Sequence, residues 1–291
     1  MEHRSIYEQI AGRTDGTVYI GVVGPVRTGK STFIKRFMEQ LVLPNIENVY
    51  ERERATDELP QSGSGRTIMT AEPKFVPEEA VELRLAEGAA FSVRLVDCVG
   101  YMVDSAVGQF EDLSPRMVMT PWFDHEIPMT EAAEIGTRKV ITDHATVGVV
   151  VTTDGTITDI PREDYREAEE RVIRELQDIG KPFVVLVNSA QPEDPRAAAA
   201  AAEIQTRYGV TCRCVNCLTL TEEDIGDILR DLLYQFPLRE LDVFLPEWVD
   251  ALPGEHPIRS GLYQEIGEAA SQLTRICACL LYTSPSPRDG L

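Results

Sequence analysis

An α/β fold, doubly wound around a mainly parallel sheet, is what this sequence predicts, and three observations carry the prediction. Short apolar runs alternate with helical stretches over residues 17 to 236, the pattern that crossover-connected parallel strands leave behind. The run in "ATVGVVVTT" is continuously apolar rather than alternating, as a strand buried on both faces must be. A glycine-bracketed turn, "GVVGPVRTGKST", sits where the first strand hands over to a helix.

Each element can be justified in order. Residues 17–23, "TVYIGVV", are β-branched and apolar and form the first strand. In "STFIKRFMEQLVL" the residues Phe33, Ile34, Phe37 and Leu41 recur at helical spacing, and Pro44 stops the helix. Residues 44 to 80 offer turn formers such as "LPQSGSGRT" and little periodicity, so they are read as one long loop. "VELRL" and "FSVRLVD" alternate around "AEGAA", a hairpin that delivers Asp97 to a strand end. An irregular insert rich in Pro and Met covers 101 to 130; its Trp122 and Phe123 suit a protein contact or burial equally well.

The helix "EAAEIGTRKVITDH" then runs into the strand "ATVGVVVTT". "REDYREAEERVIRELQDIG" is a helix with an acid-rich first turn and Gly180 at its C′ position. The strand "KPFVVLVNS", the helix "RAAAAAAEIQTRYG" and the strand "VTCRCVN" follow, and "TEEDIGDILRDLLYQF" is a closing helix opened by Thr221. Residues 1–236 are thus expected to form one domain. "LRELDVFLPEWVDALPGEHPIR" reads as a strand and a Pro-broken connector, the incomplete start of a following domain over 237–276. Residues 277–291, with "CLLYTSPSPRDGL", have no period and resemble translated sequencing-adapter read-through, a non-native or disordered tail.

Composition narrows the function. The 48 acids against 28 bases give a net charge of −20, which repels nucleic acid and anionic lipid. No apolar stretch is long enough for a transmembrane segment and no export signal opens the chain, so a cytoplasmic setting with reduced thiols is expected for its six cysteines. Cys212, Cys214 and Cys217 lie close together, but a metal knuckle needs a fourth ligand and a CxxC turn, so they are read as buried thiols.

The chemistry lies in the glycine turn. In GxxxxGK[ST] the glycines let backbone N–H groups face phosphates where side chains would clash. Gly24, Pro25, Val26, Arg27, Thr28 and Gly29 form that loop, and Lys30 reaches the β/γ-phosphates. Ser31 ligates Mg²⁺, with Thr32 beside it at the start of the helix, whose dipole favours anions. In "RLVDCVG", Asp97 holds Mg²⁺ through water and the Gly100 amide senses a γ-phosphate. A hydroxyl from the long loop completes the set; Thr70 is preferred and Thr67 is the runner-up. Guanine-specific proteins carry Asn-Lys-x-Asp after the corresponding strand. Here that place reads Asn188-Ser189-Ala190-Gln191, so the lysine and aspartate are missing and ATP is the expected nucleotide. The chain is a P-loop NTPase with slow turnover, since no catalytic base is evident.

The segments "GVVGPVRTGKSTFIKRFME", "DELPQS", "TIMTAEPKFVP", "RLVDCVGY", "EAAEIGTRKVI", "VVVTTDGTI" and "EAEERVI" closely resemble the stage IV sporulation protein A family of spore-forming bacteria, from residue 1 to about 270. The resemblance implies a translation-factor-type GTPase fold turned ATPase, with ATP and Mg²⁺ as cofactors. It implies hydrolysis that drives self-assembly into the basement layer of the spore coat, in the mother-cell cytoplasm at the surface of the outer forespore membrane. Its implied partners are copies of itself, a small amphipathic membrane-anchoring peptide and other spore-coat proteins. On this sequence the family's lysine, magnesium-associated aspartate and hydrolysis-sensing threonine fall on Lys30, Asp97 and Thr70. One departure is Ala71, where the family carries a second threonine. The alternative from another class is a nucleotide-gated regulatory switch that binds a partner reversibly without polymerising.

Overall fold

The computed structural model describes residues 13–14, 16–60, 72–84, 90–103, 105–106, 110–111, 114–238, 241 and 243–276. It divides into two compact units, Met1–Leu232 and Leu233–Leu291. The first is built on six strands: β1 (Thr17–Val23), β2 (Lys74–Arg84), β3 (Ala90–Asp97), β4 (Val147–Thr153), β5 (Phe183–Asn188) and β6 (Cys212–Val215). Their order is β6-β5-β4-β1-β3-β2, parallel except for β2, which runs antiparallel to β3 at one edge. This is the doubly wound sheet the alternation predicts.

Burial explains the strand compositions. All seven residues of β4 and all six of β5 are buried, which is why neither alternates. Around the sheet lie α1 (Lys30–Phe37), α2 (Val49–Asp57), α3 (Met129–Lys139), α4 (Arg166–Asp178), α5 (Pro195–Tyr208) and α6 (Glu222–Leu233). Helix α1 buries Phe33, Ile34 and Phe37 at helical spacing, and truncating either phenylalanine to Ala costs about 3–5 kcal/mol by transfer and cavity terms. Its last turns loosen into a π-type segment, Met38–Val42, and a 3-10 turn, Leu43–Asn45, that contains Pro44. Helix α4 ends at Gly180, left-handed at φ 67°, as a C′ glycine does. Thr221 and Asp224 cap α6 reciprocally: Asp224 accepts from the Thr221 N–H at 2.8 Å, and Thr221 Oγ1 accepts from the Asp224 N–H at 3.2 Å.

Two expectations are corrected. The stretch from 44 to 80 is not one loop: α2 forms at Val49–Asp57, capped by Asn48, whose side chain accepts from the Tyr50 N–H. Only Ala55 of α2 is buried, so no apolar period betrays it. Strand β2 begins at Lys74, seven residues before "VELRL"; it carries Pro77 because it is an edge strand, and its register breaks between Val76 and Val81. The strand expected in "LRELDVF" is absent among the described residues, since Leu241, Val243 and Phe244 are exposed and bury no alternating face. In the second unit, short helix α7 (Glu247–Asp250) precedes α8 (Pro257–Gln272), which buries none of its residues. His256 Nδ1 accepts from the Ile258 N–H to start α8, and Arg259 donates to the Leu252 carbonyl at 2.7 Å.

Candidate functional site

The site lies at the C-terminal edge of the parallel strands, where open α/β sheets bind ligands. Gly24–Gly29 connect the centre strand β1 to α1. Parallel pairing sets Asp97 beside Val22, so the end of β3 delivers a carboxylate to the turn. Strand β5, with Thr153 of β4 beside it, ends at Asn188. The loop, Asp97, Gly100 and Asn188 therefore meet for a topological reason.

The glycines are required by close approach. A Cβ on Gly24 would lie 2.2 Å from the Val151 carbonyl oxygen, and one on Gly29 2.3 Å from Asn188 Nδ2. A Cβ on Gly100 would lie 2.1 Å from the Gly24 oxygen and 2.6 Å from Lys30 Nζ. All three have positive φ, at 138°, 98° and 95°, a region that L side chains avoid. Arg27 shares the left-handed region at φ 61°, the one non-glycine among the described residues that does.

Hydrogen bonds fix the loop from within. Pro25 O accepts from Thr28 Oγ1 at 3.0 Å and from Lys30 Nζ at 2.6 Å. The Val26 N–H donates to Tyr101 O at 2.9 Å, and the Tyr101 N–H donates to Gly24 O at 3.2 Å. Asn188 braces the far side: its Nδ2 donates to Thr28 O at 2.9 Å, and its Oδ1 accepts from the Cys217 N–H at 3.0 Å. Tyr101 is buried and its hydroxyl donates to Glu175, with the Arg171 guanidinium 4.2 Å over its ring. No chemical motif pointed to Tyr101; it stood only as the last residue of the family-like segment "RLVDCVGY", directly after Gly100.

The charged groups are held against their ionised forms. Burial lowers the Lys30 pKa, only partly countered by Cys98 and Asp97. Burial likewise raises Asp97, opposed by the Ser31 hydrogen bond and the charge of Lys30. Ser31 Oγ donates to Asp97 Oδ2 at 2.8 Å, while Asp97 Oδ1 is buried with no partner among the described residues. A hydroxyl and a carboxylate with a spare buried oxygen fit Mg²⁺, a hard cation that takes oxygen ligands. Cys98, pushed up to about 11 by burial, stays a neutral thiol. Thr32 is half-buried, and its hydroxyl makes no hydrogen bond among the described residues. Thr70, its alternative Thr67 and Ala71 lie outside the described residues.

Beside the loop, the segment after β4 is tied at both ends. Asp154 accepts from the Ser189 hydroxyl at 2.7 Å and from the Thr156 N–H at 3.0 Å, and the Ala190 N–H donates to Thr156 Oγ1 at 2.9 Å. At its other end Arg162 makes two 2.8 Å hydrogen bonds to Glu169, which also accepts from Thr152 Oγ1 at 2.5 Å.

A phosphate loop after the centre strand, with a hydroxyl–carboxylate pair from the neighbouring strand, defines a P-loop NTPase. Within that class the chain belongs to the family described as Stage IV sporulation protein A, ATPase domain, which matches residues 1–237. Stage IV sporulation protein A of Bacillus subtilis (strain 168) is 50% identical over 276 residues, covering 95% of this chain and 56% of that protein. The protein of the same name in Clostridioides difficile (strain 630) is 47% identical over 274 residues, covering 94% and 56%. The chain thus spans about half the length of the curated relatives it matches. A crystal structure of an SsGBP variant aligns at 14% identity and a TM-score of 0.40, covering 78% of this chain and 57% of that one; at that distance it adds nothing to the reading of the site.

Proposed function

We propose that this chain binds ATP with Mg²⁺ and hydrolyses it, and that hydrolysis drives self-assembly into the basement layer of a bacterial spore coat. The observation that carries the reading is the Lys30–Ser31–Asp97 cluster. A buried lysine and a buried carboxylate are both pushed toward neutrality, a cost that a polyphosphate and a divalent cation would offset in one step. Lys30 and the loop amides would hold the phosphates, and Ser31 and Asp97 the metal. The metal supplies charge neutralisation at the phosphate oxygens. The Gly100 amide, fixed by the clamp at Tyr101, would report on the γ-phosphate. Asn188 holds the loop in shape through Thr28 rather than reaching out to a base.

ATP is preferred over GTP because Gln191 stands where a guanine reader needs a carboxylate. The one nearby carboxylate in that network, Asp154, already accepts from Ser189 and Thr156. Domain limits at 1–236 and 237–276, a slow turnover, docking to a small amphipathic membrane peptide and a place at the forespore membrane surface belong to the same proposal. Among the described residues no helix is long and apolar enough to cross a membrane.

Phosphate release measured with ATP and with GTP, on wild type and Lys30→Ala, alongside sedimentation, tests the reading. It expects ATP turnover that Lys30→Ala abolishes, and pelleted material that persists after hydrolysis. A GTP preference, or a protein that stays monomeric through turnover, would overturn it.

A further inference from the structure

We propose that the Arg27 guanidinium is a built-in catalytic cation for phosphoryl transfer, contacting the phosphates at the step where negative charge moves toward the leaving group. This inference rests on the ATPase reading above. Three observations lead to it. Arg27 holds a left-handed backbone at φ 61°, a conformation that costs a side-chain-bearing residue and that glycine adopts freely. Glycine already serves that purpose at Gly24 and Gly29 in the same loop, yet here an arginine occupies the strained position. Such an outlier calls for a compensating role.

The second observation is how the loop spends its polar groups. Thr28 Oγ1 and Lys30 Nζ share the Pro25 carbonyl, Ser31 is on Asp97, and the Val26 N–H is on Tyr101. Half-buried Arg27 makes no hydrogen bond and no ion pair among the described residues. Elsewhere in this acidic chain the arginines of α4 and α5 are paired: Arg166 with Glu203, Arg171 with Glu134, Arg174 and Arg207 with Glu170. A loop cation left out of such pairing, in a chain with 48 acids, is reserved for another anion.

Third, Arg27 has a fixed neighbour. It lies close enough to the buried Tyr165 phenol for its charge to oppose the rise in pKa that burial causes there, and the Tyr165 hydroxyl is 2.9 Å from Thr158 Oγ1, in the segment tied down at Asp154 and Arg162.

The chemistry balances without any further reactant. Water attacks the γ-phosphorus and a new P–O bond forms as the bond to the β–γ bridging oxygen breaks. The electron pair leaves on the β-phosphate, and the water proton passes to a phosphate oxygen or solvent, giving ADP and inorganic phosphate. A guanidinium beside the bridging oxygen stabilises the charge that grows there, as arginine fingers do.

The test compares wild type with Arg27→Gly, Arg27→Lys and Lys30→Ala in three readouts: ATP hydrolysis, affinity for ADP with aluminium fluoride against affinity for ATP, and the melting temperature without nucleotide. Arg27→Gly should lose roughly 10²-fold or more in kcat, toward the ~10³ lower end of arginine-finger effects. It should keep its ATP affinity within about threefold, lose its preference for the transition-state mimic, and melt no lower than wild type, because glycine relieves the strained φ. Arg27→Lys should recover part of kcat, as a point charge without the planar fork. Wild-type turnover in Arg27→Gly, or a fall in melting temperature that tracks its loss of activity, would overturn the proposal. Hydrolysis that survives in Lys30→Ala would instead take down the ATPase reading beneath it.

Discussion

The Lys30–Asp97 end and the Asn188 end of the candidate site, proposed to take phosphate and base, are built on opposite terms. At the phosphate end polar groups are left in debt: Asp97 Oδ1 is buried without a partner among the described residues, and Lys30 is buried with its pKa lowered. Arg27 is strained, and three glycines leave no room for a Cβ. At the base end nearly everything is settled. Asn188 spends both halves of its amide on backbone, and Ser189, Asp154 and Thr156 bond one another. The contrast teaches that one end keeps buried polar groups that a charged ligand would satisfy, whereas the other is a brace that holds the shape. On the proposed reading, discrimination at the base would come from what the brace lacks rather than from an installed reader.

Substitutions can break or sharpen this contrast. The largest effect is expected from Lys30→Ala, which should cost at least about 10²-fold in ATP turnover, the scale of losing one preorganised charge donor; phosphate release checks it. Gly100→Ala comes next, since its Cβ meets the Gly24 oxygen and Lys30 Nζ. It should lose about 2–4 kcal/mol of stability, read as a lower urea midpoint. At the base end Asn188→Ala strands the Cys217 N–H and the Thr28 carbonyl, a loss of about 1–3 kcal/mol. Its nucleotide affinity should fall with it, because the loop loses its brace; an unchanged urea midpoint would mean Asn188 braces nothing. Smallest of all, Glu39→Gln removes the carboxylate from two partly exposed pairs, with Arg36 at 3.2 Å and Lys35 at 3.8 Å, and should shift stability by no more than about 1 kcal/mol.

Much of this was legible in the chain itself. Gly24, Lys30, Ser31, Asp97 and Gly100 could be found because phosphate chemistry demands those residue types at fixed spacing, and Asn188 because it ends the strand after which guanine-specific proteins carry Asn-Lys-x-Asp. The buried strands β4 and β5 were readable from unbroken apolar runs. Helix α2 was not, because a helix that buries only Ala55 leaves no period. The edge strand β2 hid behind Pro77, which an interior strand would exclude. "LRELDVF" misled in the other direction, since its alternation serves no buried face. Tyr101 and Glu175 meet across 74 residues, and the Arg162–Glu169–Thr152 cluster across 7 and 17 residues at no repeating spacing, so no local pattern announces either.

The central claim is that Asp97 is kept for a cation at a cost to the protein without one. With its pKa raised, its folded state binds more protons than its unfolded state, so stability falls as pH rises from the ordinary carboxylate range, about 4, through the folded value. Asp97→Asn keeps an acceptor for Ser31 and removes that penalty. The direct measurement is the melting temperature of wild type and Asp97→Asn at neutral pH, with and without Mg²⁺ and ATP. The account predicts that the variant melts higher without ligand and that Mg²⁺ with ATP reverses the order. A variant that melts lower without ligand, or gains as much as wild type from Mg²⁺ and ATP, would contradict it.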